Sequence, residues 1–186
     1  MKVTLQQPKI ITFLVTQERT DPDYGSCLWA RFYLDTDNYT LSIESDCGNY
    51  SYGWTPTHKT ESFLHLLARI GPDYLLGKIA PLDTVDGDTT WENIEDAVKE
   101  AAEYEDIHLD LTTWEDVKAA CHISNDGRDI MDALKDALPS DLWDAMDIDW
   151  LWGCIERDYS AQAKRIVSIF DTYINPKVKE LLEVEP

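Results

Sequence analysis

Residues 28–54, LWARFYLDTDNYTLSIESDCGNYSYGW, decide the fold of the N-terminal part of the chain. Aromatic and branched apolar residues dominate three segments, and polar turn sequences separate them. The segments are residues 28–34, 39–43 and 50–54, and the turns are residues 35–38 and 46–49. Together with the apolar run at residues 10–15, they predict an antiparallel meander of three or four strands.

Helical spacing follows the predicted strands. Apolar residues recur every three or four positions in residues 61–70, and Gly71-Pro72 ends this pattern before a short amphipathic segment at residues 74–79. A helix laid on one face of the meander closes a small α+β unit. The composition then changes at residues 80–90. We therefore expect an α+β subdomain of residues 1–80 and a helical subdomain of residues 81–186.

Two similar segments mark helix starts in the second part. TTWENI at residues 89–94 recurs as TTWEDV at residues 112–117. Each contains a Thr-x-x-Glu capping box, in which the Thr side chain accepts the N–H of the residue three positions on and the Glu reaches back. Both segments therefore predict the first turn of a helix with a Trp in it, and we expect the Trp residues of the acidic segment to point inward. Two copies leave open whether this is a repeat or two independently selected caps.

More helices are predicted further along the chain. Ser124 or Asn125 can cap a helix over residues 126–138, which Pro139 ends, and Ser140 can cap the next. An apolar stripe runs from Ile166 to Ile174 and is interrupted at Asn175-Pro176. The predicted fold class is α+β: an N-terminal antiparallel β-meander with one or two helices, then an acidic all-helical bundle with near-neutral terminal helices.

Charge is unevenly distributed. Residues 81–156 contain 22 of the 36 acidic residues and four basic ones, a local net charge of −18, whereas the whole chain carries −20. The two flanks are close to neutral. A polyanionic segment joined to a neutral one favours a cationic protein partner. It disfavours direct binding to nucleic acid or to an anionic membrane, which are themselves polyanions.

The acids are predicted to lie on helix faces opposite the apolar residues. Carboxylates three or four positions apart on a helix lie about 6 Å from one another, close to the phosphate spacing along a nucleic-acid strand. A solvated face that only keeps the protein soluble remains the alternative. The candidate partner-binding residues are Glu92, Asp96, Glu100, Glu103, Asp126, Asp129, Asp132, Asp136, Asp141 and Asp144.

No metal or cofactor site is expected. Residues 83–88 have the wrong register for an EF-hand loop, and residues 21–25 lack its third ligand and closing Glu. The four cysteines are widely spaced without a CxxC pair, which is typical neither of a disulfide framework nor of a zinc site. Reduced, buried thiols are the prediction.

Catalysis is not expected either. Cys47, in a predicted turn, is the best candidate nucleophile, with His58 or His65 as its base, but no spacing supports that pairing. No GxSxG, HExxH, P-loop or dinucleotide motif is present.

Aromatic residues alternate along the predicted strands, so one set faces the core and the other faces outward. The outward set could serve as contact anchors for a protein partner. These aromatic residues are Trp29, Tyr33, Tyr50, Tyr52 and Trp54.

The start of the chain contains no apolar run of signal-peptide length, and no apolar stretch approaches the roughly 20 residues that span a bilayer. We expect a location in the cytoplasm of a bacterial host.

Three stretches resemble a loose group of small, mostly uncharacterised acidic proteins encoded by phages and prophages. They are SDCGNYSYGW at residues 45–54, FLHLLARIGPDYLLGKI at 63–79 and IERDYSAQAKRIVSIFDTYINPKVKEL at 155–181. The resemblance covers about a third of the chain and implies no catalytic residues. By class alone, the acidic segment is similar to phage anti-CRISPR and anti-restriction proteins that imitate DNA.

The functional expectation is therefore a phage-encoded, non-enzymatic inhibitor of a host defence nuclease. As a DNA mimic, it would occupy the cationic DNA-binding channel of a Cas effector or restriction enzyme. The alternative is an intracellular immunity or antitoxin protein that neutralises a basic toxin, which the same acidic and aromatic features suit.

Overall fold

The computed structural model of the chain describes residues 1–55, 62–109 and 114–184. Two compact units are present. One, here called the sheet unit, comprises Met1–Pro81 and Ser160–Pro186, and the other, the acidic unit, comprises Leu82–Tyr159. The α+β class is confirmed: an N-terminal four-stranded antiparallel meander precedes a mostly helical region.

The sheet has the strand order β1-β2-β3-β4, with every neighbouring pair antiparallel. Its strands are β1 (Ile10–Thr16), β2 (Trp29–Asp35), β3 (Thr40–Ser45) and β4 (Tyr50–Gly53). Alternate residues of β2 point to opposite faces, as the period of a strand requires. Ala30, Phe32 and Leu34 are buried, whereas Arg31 and Tyr33 lie half-buried on the other face beside Glu44.

Helices cover the apolar face of the sheet, because that face must be removed from water. Phe32 of the sheet meets Phe170 with ring centroids 6.1 Å apart, and Trp54 meets Phe63 at 5.7 Å. Of the strand aromatics, Trp54 is buried and the other four are half-buried. The helices of this unit are α1 (Phe63–Arg69), α2 (Pro72–Ile79), α8 (Ala161–Ile169) and α9 (Asn175–Val184), with a π-helical segment at Phe170–Ile174.

The predicted interruption at Asn175-Pro176 is wrong. Helix α8 continues through the π-helical segment into α9, and the N–H of Asn175 donates to the carbonyl of Phe170, five residues back. Proline has no N–H for the usual bond to the fourth preceding carbonyl, and a wider turn at this point accommodates it. The buried Asn175 amide also donates to the carbonyl of Leu67, 3.1 Å away, and so ties α9 to α1.

A two-stranded ribbon closes the acidic unit. Strand β5 (Thr84–Val85) enters the unit and pairs antiparallel with β6 (Arg157–Asp158), which leaves it. The Thr84 hydroxyl donates to the carbonyl of Asp158 at 2.9 Å. The sequence-based boundary assigns residues 160–186 to the helical part, whereas the structure groups them with the sheet. Their apolar stripe is what covers Phe32 and its neighbours, a long-range contact that local periodicity does not reveal.

Among the residues that the structure describes, five helices form the acidic unit: α3 (Gly87–Tyr104), α4 (Glu115–Ile123), α5 (Arg128–Ala137), α6 (Ser140–Ala145) and α7 (Ile148–Gly153). They enclose one apolar core. Helix α4 packs against both α3 and α5, which have no comparable contact with each other. The core is built from side chains such as Ile94, Val117 and Leu134, all fully buried.

The first predicted capping box is wrong, because α3 starts before Thr89. Asp86 is the cap: its carboxylate accepts the N–H of Thr89 at 3.2 Å and the Thr89 hydroxyl at 2.8 Å. Gly87 then passes close to α4, where a Cβ atom would lie 2.8 Å from the carbonyl oxygen of Cys121. The cap predicted at Thr112 lies outside the described residues.

The predicted start of α5 at residue 126 is also wrong. Gly127 has φ of +88°, a conformation that favours glycine, and the helix starts only at Arg128. A Cβ atom on Gly127 would lie 2.6 Å from Ile155. Ser124, a predicted cap, instead accepts the N–H of Gly127 at 2.9 Å. Asp126 therefore precedes α5 and is not part of its acidic row.

Among the described helices, none combines the length and the apolar character needed to cross a membrane.

Candidate functional site

All ten predicted carboxylates lie in the acidic unit, and every one of them is exposed. Four belong to α3, three to α5 and two to α6, and Asp126 lies in the turn before α5. The α3 row is Glu92, Asp96, Glu100 and Glu103, the α5 row is Asp129, Asp132 and Asp136, and the α6 pair is Asp141 and Asp144.

Nine of these carboxylates form no ion pair within the described parts of the chain. The exception is Asp126, whose Oδ2 lies 3.4 Å from Nε of Arg128. Most basic side chains of the unit are engaged elsewhere. Lys99 pairs with Glu95, Lys118 lies over the ring of Trp91, and Arg157 donates to the backbone carbonyls of Asn125 and Asp126.

The α3 row is electrostatically unfavourable for the helix that carries it. Glu100 and Glu103 lie near the C-terminal end of α3, where the partial charge of the helix is negative, and its last turn contains no basic residue. Such a placement costs roughly 0.3–1 kcal/mol per charge when exposed. Like charges four residues apart add a few tenths of a kcal/mol. Glu100 and Glu103 therefore do not stabilise the helix that carries them.

The α3 and α5 rows do not form one continuous acidic surface. Helix α4 packs against both helices and separates them. Helix α3 has 18 residues and so extends for about 27 Å. It is the longest acidic surface carried by one element of the unit.

Trp150 lies beside part of the α3 row and forms a concave site with it. Its side chain is 44% exposed and lines two adjoining grooves of about 510 and 310 Å³. Asp96, Glu100 and Asp149 line the larger groove, and Glu100 and Glu105 line the smaller one. No Lys, Arg or His occurs among the described residues that line either groove. We call Asp96, Glu100, Glu105, Asp149 and Trp150 the Trp150 site.

The end of α7 holds Trp150 beside α3. The Asn93 amide on α3 donates to the carbonyl of Cys154, 3.3 Å away, just after α7. At the other end, the Asp147 carboxylate caps α7 by accepting the N–H of Asp149 at 2.9 Å. Leu151 is fully buried and fixes which face of α7 points inward.

The exposure of Trp150 differs from the prediction from sequence, in which the Trp residues of the acidic segment point inward. That expectation holds for Trp114, which is 4% exposed, but not for Trp150 and Trp152. Successive helical residues are rotated by about 100°, so a buried Leu151 leaves both neighbouring Trp side chains beside the core instead of in it. The Trp-Leu-Trp segment is the feature of the sequence that indicates this exposure, because only one of its three side chains can point directly into the core.

An aromatic face between carboxylates suits a cationic side chain. A guanidinium or ammonium group over an indole gains about 0.5–1 kcal/mol at an exposed site and more when desolvated. Carboxylates at the rim add charge-assisted hydrogen bonds, which guanidinium groups form with two oxygens at once. The Trp150 site therefore fits Arg or Lys side chains of a partner protein.

Cys47 and His65, the candidate nucleophile and its candidate base, form no hydrogen bond with each other in the described parts of the chain. Cys47 is buried beside Ser45, whereas the His65 ring is exposed on α1 and lies 2.8 Å from the Ser62 hydroxyl. His58 lies outside the described residues. The predicted burial of the thiols is confirmed, since all four cysteines are buried; none of them is in a disulfide in the structure. Burial raises the pKa of the Cys121 thiol to about 11 and also raises the pKa of the Cys154 thiol.

A protein-family model described as "Phage family" matches residues 7–180. No curated protein and no solved structure matches the chain.

Proposed function

The chain belongs to this phage protein family, and on that premise we propose that it inhibits a host defence nuclease of the CRISPR or restriction type. The acidic unit occupies the cationic surface on which that nuclease would hold DNA. The protein acts as a binder, not as an enzyme.

The observation that carries this proposal is the set of nine exposed carboxylates without an ion pair in the described parts of the chain. A row that only maintained solubility would gain nothing from a position at the negative end of α3. A partner that brings Lys and Arg side chains would remove both the mutual repulsion and the unfavourable interaction with the helix. Binding is therefore strongest where the partner is most basic.

Folding of the acidic segment supports mimicry of a stiff polyanion. The α3 row is fixed on a helix whose neighbours form a packed core, so little conformational entropy is lost when it binds. Spacing of about 6 Å between neighbouring carboxylates approximates the spacing of phosphates. The Trp150 site lies on the same row and adds an aromatic anchor of the kind that dominates protein interfaces.

The test is competition for DNA. A Cas effector or a restriction endonuclease from the phage's host is incubated with labelled duplex DNA and increasing amounts of the protein, and DNA binding is followed by fluorescence anisotropy. We expect displacement of the duplex at low salt. The protein's own affinity for the nuclease should fall steeply between roughly 50 and 200 mM salt.

Charge-matched variants make the test specific. D96N/E100Q/E103Q on α3 and D129N/D132N/D136N on α5 each remove three negative charges from the acidic unit. D73N/D171N/E183Q removes the same number from exposed positions of the sheet unit. We expect the α3 variant to lose most of its inhibition and the sheet-unit variant to keep it. Equal effects of all three variants would reduce the interaction to net charge, and undiminished inhibition by the α3 variant would overturn the proposal.

A further inference from the structure

Two cysteines that are 20 positions apart in the sequence meet in the sheet unit. Cys27 lies just before β2, and Cys47 lies in the turn after β3. The register that pairs Ala30 with Ser45 brings these two positions to the same end of the neighbouring strands. The Asp46 carboxylate accepts the thiol of Cys27, and one ligand atom from each of the three residues lies within 4.8 Å of the others.

From this cluster we infer a binding site for a thiophilic divalent cation, with Zn²⁺ as the natural occupant. Its ligands are Sγ of Cys27, Sγ of Cys47 and a carboxylate oxygen of Asp46. The site lies in the sheet unit, and it is independent of the function proposed for the acidic unit.

The distances suit tetrahedral coordination. Zinc binds sulfur at about 2.3 Å and carboxylate oxygen at about 2.0–2.2 Å, so neighbouring ligands of a tetrahedral ion lie roughly 3.5–3.8 Å apart. Sγ of Cys27 already lies 3.4 Å from Oδ1 of Asp46. Small side-chain rotations bring the remaining atoms into range.

Asp46 is held in place for this role. Its Oδ2 accepts the N–H of Leu28 at 3.0 Å, and its Oδ1 accepts the N–H of Trp29 at 3.3 Å and the thiol of Cys27. A metal ion replaces the thiol proton in this last contact. As the two metal–sulfur bonds form, both thiols release their protons to solvent, and Oδ1 turns from accepting a hydrogen bond to binding the ion.

The ligand set selects the type of metal. Two thiolates favour zinc and related soft cations over Mg²⁺ or Ca²⁺, which prefer oxygen ligands. The Ser45 hydroxyl, near Cys47, is already engaged with the carbonyl of Gly48. Asp46 is exposed, so the fourth position opens to solvent on its side and a water molecule completes the tetrahedron.

Cobalt provides the direct test, because Co²⁺ substitutes for Zn²⁺ and is visible by absorption. The full chain is reduced, freed of metal and titrated with Co²⁺. We expect one equivalent to bind, with a thiolate-to-cobalt charge-transfer band whose intensity corresponds to two sulfur ligands, and visible bands typical of a tetrahedral ion. One equivalent of Zn²⁺ should then bleach both.

The chain supplies its own controls in Cys121 and Cys154, two further buried thiols, which belong to the acidic unit. C27S and C47S should weaken Co²⁺ binding by more than the roughly 10–100-fold that follows loss of an outer-shell partner. C121S and C154S should leave the titration unchanged. D46N should keep the charge-transfer band but bind more weakly, and far-ultraviolet circular dichroism of each metal-free variant verifies that it is folded.

Three results would overturn the inference. One is a folded, fully reduced wild-type chain that shows no charge-transfer band. Another is a band that persists in both C27S and C47S. The third is isolation of the chain with a Cys27–Cys47 disulfide that, once reduced, restores no cobalt binding.

Discussion

The indole of Trp91 on α3 meets that of Trp114 edge to face, with ring centroids 5.7 Å apart and planes inclined by 72°. These are the equivalent Trp residues of the two similar segments, TTWENI and TTWEDV. The segments therefore supply a contact between α3 and the start of α4. Aromatic pairs in this geometry add about 0.5–1.5 kcal/mol beyond the burial of their area.

We expect W114A to lower the free energy of unfolding by roughly 3–5 kcal/mol, since Trp114 is 4% exposed and its removal leaves a cavity. W91A, at a half-buried position, should cost less. The double variant should cost less than the sum of the two, and urea unfolding followed by circular dichroism measures the difference. Strict additivity would mean that the two rings do not interact.

Asp86 caps α3, and its removal should destabilise the protein. D86A should lower stability by about 1 kcal/mol, because the N–H of Thr89 loses its acceptor. D86N should retain most of it. T89A should have the smaller effect, since the Thr89 hydroxyl only donates to Asp86. Thermal unfolding of the three variants measures this order of stabilities. If D86A leaves the stability unchanged and T89A lowers it, Thr89 and not Asp86 caps the helix.

Trp150 is expected to be a binding residue and not a stabilising one. W150A should weaken binding to the nuclease identified by DNA competition by about 30-fold, the loss that corresponds to a typical hot spot of 2 kcal/mol. Its melting temperature should stay close to that of the wild type. Isothermal titration calorimetry measures the affinity.

W152A is the matched control for that experiment. Trp152 is similarly exposed, at 39%, and lies two residues away on the same helix, but it does not line the two grooves. An equal loss of affinity in both variants would argue against a specific role for the Trp150 site.

The buried thiol of Cys121 should make the protein less stable at alkaline pH. Burial raises the pKa of its thiol from 9.0 to about 11, so the folded state holds the proton more tightly than the unfolded state does. The resulting stabilisation is complete below pH 9 and is lost as the pH rises towards 11. Urea unfolding of wild type and C121A across this range measures it. We expect the wild type to lose more stability than C121A, and parallel curves would contradict the assignment.

Local patterns predicted much of this fold. The strands of the meander follow from alternation of apolar and polar residues between turn sequences, and α1 follows from apolar residues at helical spacing. The exposure of the ten acids followed as well, because an amphipathic helix must direct its apolar face to a core. Helix boundaries were less accurate. Thr89 does not cap α3, because Asp86 does so three residues earlier. Asp126 does not begin α5, because Gly127 precedes the first residue of that helix.

The sequence by itself determined the fold class, the polyanionic character of residues 81–156 and the outward direction of their carboxylates, because these depend on composition and on the period of each element. Only the tertiary structure decided which elements meet. It joined residues 160–186 to the sheet, separated the α3 and α5 rows by α4, placed Trp150 between carboxylates of α3 and α7, and brought Cys27 beside Cys47. Each of these depends on contacts between residues far apart in the chain, which arise from packing and strand register and leave no local signature.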